Sequence, residues 1–308
     1  MKKRTLILKS DANSFERFYI KKMNYEDVDT VPMYRRLIYK HPLLFRIHMH
    51  SPLDIFSTKS FWYGEWKNKL DVYDTIIVFD SLECMSILDD IHRRNPNIRI
   101  IMWYWNIIKK KWRIPKKKDY IEYWSFDDND CEKYNMRKNN QFLVTSPIRL
   151  DVPQMDFLFV GVDKGRGNLL SDINLKIKKE GFLTDFFVVK DKRTSEKARK
   201  SFCYYEKPIS YEQILEKIGN SRCIIDVGQK EQNGLTIRTL EAMFYQKKLL
   251  TTNRKISEEE FYDKDNVFIW GKDNIEDLKA FMDAPIKSIP DDILRKYSFK
   301  GWLENFAK

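Results

Sequence analysis

The chain has 308 residues, 56 Lys and Arg against 45 Asp and Glu, a formal charge of +11, and 43% hydrophobic and 14% aromatic residues. That length suits two ordinary domains better than one core, and the composition excludes a disordered, collagen-like or disulfide-stapled chain. No stretch reaches the roughly 20 apolar residues of a membrane-spanning helix, so membrane association is expected to be peripheral, and the positive charge points to an anionic partner: a lipid headgroup, a diphosphate or nucleic acid.

The N-terminal Met1-Lys-Lys-Arg4 followed by Thr5-Leu-Ile-Leu8 looks like the start of a signal peptide, but Lys9 and Asp11 end the apolar run after four residues. It is read as a first β-strand, and residues 14–24 and 31–40 as helices. Thr75 to Asp80 is a continuous apolar run ending in a polar residue, as in a buried parallel strand. A helix from Cys84 to Arg94 is stopped by Asn95-Pro96, and Ile98–Trp105, Tyr120–Phe126 and Phe142–Thr145 are further strands.

Residues 146–154, with two prolines and no periodicity, read as a linker between domains 1–150 and 151–308. A second series follows. Strands are predicted at Met155–Val160, Phe186–Val189, Cys223–Val227, Leu249–Thr252 and Val267–Trp270. Helices are predicted at Asn168–Glu180, at Ser210–Gly219 with Ser210 as its cap, and at Gly234–Lys247. Helices from Asn274 and Pro290 and an aromatic, docked C-terminus finish the chain. Cys84, Cys131, Cys203 and Cys223 are too far apart for a zinc or redox motif and read as reduced core residues of a cytosolic protein. The fold class is α/β, two Rossmann-like domains facing across a cleft where ligands bind.

The stretch Asp226 to Ala242 carries the most chemistry. A strand ends, a polar loop follows, and Gly234-Leu235-Thr236 opens a helix whose N-terminus is a ready anion site. Arg238 one turn inside suits a bidentate phosphate contact, and Glu241 suits a ribose. The alternative is a turn glycine before a solvated helix face.

The string Gly234-Leu-Thr-Ile-Arg-Thr-Leu-Glu241-Ala, followed by Lys247-Lys-Leu-Leu-Thr-Thr-Asn253, resembles the donor-site signature of GT-B glycosyltransferases. With Phe159-Val-Gly-Val-Asp-Lys-Gly-Arg166, Ser210-Tyr-Glu and Phe268-Ile-Trp-Gly271, the half from about 155 to 306 resembles bacterial capsule and lipopolysaccharide biosynthesis glycosyltransferases. The resemblance implies a nucleotide-diphosphate-sugar donor and no separate cofactor, with Glu241 holding the ribose and the Gly234 helix end and Arg238 facing the diphosphate. Glu231 lies ten positions before Glu241 where the common retaining pattern has a second Glu at seven, so retention and inversion both stay open.

Lys164 and Arg166 read either as a clamp on the donor diphosphate or as a flexible basic turn. In the first half, His48 and His50 are two apart and in a strand would share a face. No third ligand makes them a metal site, so no metal is expected, and either one as general base stands beside a loop role. Trp105 and Asn106 suit acceptor contacts or the core, Asp127 is a second candidate base, and Asp130 is the expected cap of the next helix. The run Lys109, Lys110, Lys111, Trp112, Arg113, Lys116, Lys117, Lys118 suits an anionic membrane surface or plain solvent.

The expected function is metal-independent sugar transfer from a nucleotide sugar to a surface polysaccharide or a glycan or polyprenyl-diphosphate-linked acceptor, in the cytoplasm or at the inner face of the cell membrane. Nucleic acid is not the expected partner. The alternatives are a nucleic-acid-binding protein using the basic N-terminal half and a non-catalytic nucleotide- or sugar-binding subunit.

Overall fold

The computed structural model describes residues 4–50, 59–81, 84–109, 114, 117–149, 152–199, 203–228 and 234–307. The chain divides into two compact units, 1–139 and 140–308.

The first unit runs β1 (Thr5–Lys9), α1 (Ser14–Lys22), β2 (Val28–Pro32), α2 (Leu37–Lys40), α3 (Pro42–His50), short 3-10 turns between Lys59 and Val72, β3 (Thr75–Phe79), α4 (Cys84–Arg94), β4 (Arg99–Tyr104), β5 (Ile121–Ser125), α5 (Asp128–Tyr134) and β6 (Arg137–Lys138). The sheet is parallel throughout, in the order β2-β1-β3-β4-β5-β6. Helices cover both faces of its middle strands, so Ile76, Ile77 and Val78 are all fully buried, as their unbroken apolar run requires.

Residues 31–40, expected as one helix, are the end of β2, a turn and the short α2. Pro32 explains the difference: it has no N–H to give a ladder, and β2 is the edge strand, where that loss is tolerated. An edge strand is only half covered, so Val28–Pro32 lacks the apolar run that marked β3.

The second unit contains β7 (Met155–Val162), α6 (Gly167–Lys179), β8 (Thr184–Val189), α7 (Glu196–Arg199), α8 (Tyr211–Gly219), β9 (Ser221–Asp226), α9 (Ile237–Phe244), β10 (Lys248–Thr251), β11 (Val267–Ile269), α10 (Leu278–Asp283), α11 (Asp291–Lys296) and α12 (Phe299–Asn305). Its parallel sheet has the order β11-β10-β9-β7-β8. Ser210 caps α8 in a full capping box with Gln213. The left-handed Gly181, at φ +85°, follows the end of α6.

Phe142–Thr145, expected as a strand of the first sheet, is instead a strap on the second unit. The Leu143 N–H donates to the Tyr297 carbonyl at 2.9 Å, and the Phe142 ring lies 4.4 Å from that of Trp302, which is fully buried. The aromatic C-terminus docks here as α12. Of the cysteines, all free, Cys84 and Cys223 are core residues while Cys203 is exposed.

Strand order reverses direction between β1 and β3 in the first sheet and between β7 and β9 in the second. Ligands of such sheets bind beyond the carboxyl ends of the strands at these points.

Candidate functional site

At the reversal point of the second sheet, the loop after β7 turns through two left-handed residues, Lys164 (φ +52°) and Gly165 (φ +80°), into α6. Asp163, fully buried, holds the turn: one carboxylate oxygen accepts the Gly167 N–H at 2.8 Å and the other accepts the Tyr204 hydroxyl at 2.8 Å. Gly167 is required here, because a Cβ would lie 2.4 Å from that hydroxyl and 2.6 Å from Ala198. Arg166 reaches across the strand ends. Its guanidinium donates to the carbonyls of Asp163 at 3.0 Å and Val162 at 2.6 Å, and to that of Val227 beyond β9. Burial lowers its pKa, against the pull of Asp226 and Asp163.

Asp226 ends β9 and is the hub of the next turn. It takes hydrogen bonds from the hydroxyls of Thr236, of Thr239 at 3.4 Å and of Thr251 at 3.3 Å. Burial pushes its carboxyl above the ordinary range, and these hydroxyls with Arg166 pull it back. Gly234 and Leu235 lead to Thr236, which caps α9 by accepting the N–H of Arg238 at 3.1 Å and of Thr239 at 3.3 Å. An anion at this helix end therefore meets the turn Gly234–Thr236 rather than those two amides. Residues 229–233, with Glu231, lie outside the described residues.

Behind the cap, Glu241 is fully buried. One of its oxygens accepts the Tyr211 hydroxyl at 2.8 Å and the other pairs with the Arg238 guanidinium one turn away. Burial raises the Glu241 carboxyl above its usual range, with Arg238 opposing. Burial likewise disfavours the Arg238 cation, but the charge and hydrogen bond of Glu241 together with Tyr211 and Asp226 oppose it and raise the Arg238 pKa. The result is a recessed ion pair at the start of a helix whose positive end adds to the cation.

In the first unit the candidates are held by local bonds. His48 lies on α3, not on a strand, so a residue two positions away does not share its face. Its Nδ1 accepts the Trp62 indole N–H at 2.9 Å. His50 ends the same helix, and its side chain lies outside the described residues. Asp127, 1% exposed, is the N-cap of α5 and accepts the Asp130 N–H at 3.2 Å. Asp130, expected as that cap, instead accepts the Ile108 N–H at 2.8 Å. Trp105 packs just past β4, 5.4 Å from the rings of Tyr19 and Phe79, and Asn106 beside it is exposed. Lys110, Lys111, Trp112, Arg113 and Lys116 lie outside the described residues, Lys109 and Lys117 are exposed, and Lys118 pairs with Asp89.

No family model and no curated protein matches the chain. Solved structures do. A DNA-modifying β-glucosyltransferase, studied with and without uridine diphosphoglucose, superposes with a TM-score of 0.55 at 13% identity over 98% of both chains. MurG of Acinetobacter baumannii gives 0.44 at 10% identity, over 96% of this chain and 95% of that one. The UDP-GlcNAc 2-epimerase of Neisseria meningitidis gives 0.44 at 8% identity, over 99% and 98%. The fold is GT-B.

In this GT-B chain the residues read from sequence as donor contacts fall on two adjoining turns of the second unit. Gly234, Leu235, Thr236, Arg238 and Glu241 form one turn and the helix it opens, and Arg166 is tied to them through the Val227 carbonyl. Lys164 projects from the other turn as an exposed side chain. Three participants had no role in the sequence reading: Tyr211 and the hub Asp226, which lie in stretches it quoted, and Tyr204; their partners are 30, up to 25 and 41 positions away. Nothing local marks such pairings.

A fourth is Lys9. The sequence made it the residue that ends an apolar run, yet it is 2% exposed at the end of β1, at the first sheet's reversal point. Its ammonium lies 4.5 Å from the Phe79 ring centroid and 4.7 Å from that of Trp105. Desolvation lowers its pKa to about 8, against the raising pull of Glu16 and Asp80. Among the described residues no group of three or more His, Cys, Asp and Glu has the geometry to hold a metal ion.

Proposed function

We propose that the chain is a glycosyltransferase that takes its sugar from a nucleotide diphosphate donor held by the second unit. The observation that supports this is the capped start of α9 beyond β9, with the recessed Arg238–Glu241 pair behind it. In this reading the diphosphate meets the Gly234–Thr236 turn and Arg238, while the ribose hydroxyls take up the carboxylate oxygen that Arg238 releases. Charge that gathers on the departing diphosphate is met by the helix end, Arg238 and Lys164, with Arg166 as a fixed cation beneath it. These groups serve the leaving group without a metal.

The proposed acceptor is a surface-polysaccharide glycan or a polyprenyl-diphosphate-linked glycan at an anionic membrane surface, matching the resemblance to capsule and lipopolysaccharide enzymes and the charge of +11. If transfer inverts, an N-terminal side chain takes the acceptor proton. His48, His50 and Asp127 are the residues to substitute, and Trp105 and Asn106 the proposed acceptor contacts.

A second acceptor, nucleic acid, is favoured by one feature of the first unit. A groove of about 550 Å³ is lined by Arg17 and Lys21, by Arg35 and Arg36 paired with Glu65 and Asp11, and by Tyr34 and Trp66, and cations beside aromatics suit a phosphodiester strand. A salt-dependent shift of labelled DNA or RNA decides for it.

The donor reading is tested by thermal shift with UDP, GDP, CDP, ADP and CMP, run beside Glu241→Gln. At a hundred times Kd, one nucleotide is expected to raise Tm by about 5–10 °C, and the variant to lose that rise while melting as a folded protein. No rise with any nucleotide refutes the donor site. A rise with neither transfer nor slow donor hydrolysis leaves a binding subunit.

A further inference from the structure

Helix α3 is apolar on the face that meets water. Phe45 and Met49, one turn apart, are 4% and 3% exposed and anchor it to the core, where Phe45 packs on Tyr34 and Trp62. On the opposite side Leu43, Ile47 and Leu44 are 74%, 66% and 58% exposed. At 100° per residue these three fall within an arc of about 100°, and Leu43 and Ile47 stand one turn apart. A helix on the surface of a soluble domain carries polar groups there. Elsewhere the large exposed apolar side chains are mostly scattered, as they are on any protein surface.

What borders the apolar arc is cationic. Lys40 and His41 precede the helix and Arg46 lies on its flank, all exposed. Arg36, with 74% of its side chain exposed, enters α2 immediately upstream and is paired with Asp11 at 3.2 Å. No acidic residue occurs between Arg35 and Ser51, in a chain that already carries +11.

We propose that α3 is a membrane-docking helix: Leu43, Leu44 and Ile47 enter the headgroup–acyl boundary of an anionic bilayer while Lys40 and Arg46 meet lipid phosphates. Apolar side chains beside Lys and Arg on one short helix are the combination that interfacial binding uses, apolar insertion and electrostatic attraction each being insufficient alone. A phosphodiester strand would engage the cations but leave the three leucine and isoleucine side chains in water, so charge and apolarity together select a lipid surface. The element differs from the 109–118 run, and the choice of occupant rests on the membrane-side acceptor reading. Docking itself requires no donor.

The test is co-sedimentation of the full chain with vesicles of 30% phosphatidylglycerol in phosphatidylcholine, and with phosphatidylcholine alone. The wild type is expected to bind the anionic vesicles at least tenfold more tightly than the neutral ones, with binding falling as salt rises. The triple variant Leu43→Ser, Leu44→Ser, Ile47→Ser is expected to weaken that binding at least tenfold while keeping its Tm and its nucleotide-induced shift. Arg46→Glu with Lys40→Glu is expected to weaken it similarly. A triple variant that binds vesicles as well as the wild type overturns the proposal, as does a wild type that ignores anionic vesicles. So does a wild type that is dimeric by light scattering and becomes monomeric in the triple variant without any vesicle binding, because a second copy then covers the face. The nucleotide shift is read separately, so failure of docking and failure of the donor site are distinguishable.

Discussion

Replacing Lys9 by Met is expected to stabilise the protein at pH 7. Lys9 is fully buried, and desolvation, only partly offset by Glu16 and Asp80, lowers its pKa from 10.5 to about 8. At about 1.4 kcal/mol per unit, holding that charge inside the fold costs roughly 3 kcal/mol. The cation–π contacts with Phe79 and Trp105 return about 1 kcal/mol, so Lys9→Met should gain about 2 kcal/mol, Met matching the stem in length and flexibility. The sign with pH follows from linkage. Between pH 8 and 10.5 the unfolded chain holds a proton on this amine that the folded chain has released, so this group's contribution to stability rises through that window. The penalty is complete below pH 8 and gone above 10.5. Urea unfolding followed by tryptophan fluorescence reads the first unit, because Trp62, Trp66, Trp103, Trp105, Trp112 and Trp124 lie there and only Trp270 and Trp302 in the second. The gain of the variant over wild type should shrink by about half between pH 7 and pH 9.5. A variant less stable than wild type at pH 7, or a difference that does not move with pH, refutes the reasoning.

Truncating Trp302 to Ala, where its ring meets Phe142 and Phe299, is expected to cost about 3–5 kcal/mol in the second unit's unfolding transition, as read by circular dichroism. Asp127→Ala should cost about 1 kcal/mol and Asp127→Asn a few tenths, since Asn caps α5 as well as Asp does. Transfer rates of Asp127→Asn then separate a capping role, which leaves kcat unchanged, from a proton-accepting one, which lowers it about a hundredfold or more.

How much of this was legible in the sequence depends on whether the cause was local. The runs 75–80 and 98–105 announced buried parallel strands because both faces of a middle strand are covered, and β3 and β4 stand where they were read. The helix bearing Arg238 and Glu241 was legible as a strand, a polar loop and a helix opened by Gly234-Leu235-Thr236, although the helix starts at Ile237, three residues later than read, with Thr236 as its cap. The edge strand β2 was not, since half exposure erases its pattern and Pro32 imitates a helix start. Nor was the strap at Phe142, whose partner Trp302 is 160 positions away although its composition is that of a strand. The cap of α5 fell to Asp127 rather than Asp130: either suits a cap by chemistry, and the choice turned on where β5 stops, two residues before Asp127.

Both sheets break the burial rule at the same topological place. The first puts Lys9 at its reversal point, and the second puts Arg166 and Asp226 at its own. Most other buried strand residues are apolar, and apolar side chains would fill these positions at lower cost; Lys248 of β10, 3% exposed, is a further buried cation, its ammonium donating to the Asp265 carbonyl at 2.6 Å. Stability does not explain the charges, because each is shifted by desolvation in the direction that opposes its ionised form. Arg166 and Asp226 do explain a geometry: one ties the carbonyl ends of β7 and β9 together, and the other pins the start of α9 to β10 through three threonine hydroxyls. A cap fixed in that way holds the Gly234–Thr236 turn and Arg238 at a set position before any ligand arrives, which is the preorganisation that anion recognition and leaving-group stabilisation require. Departures from local consistency are expected where function demands them, and in the second unit they surround the turn that the sequence had already singled out.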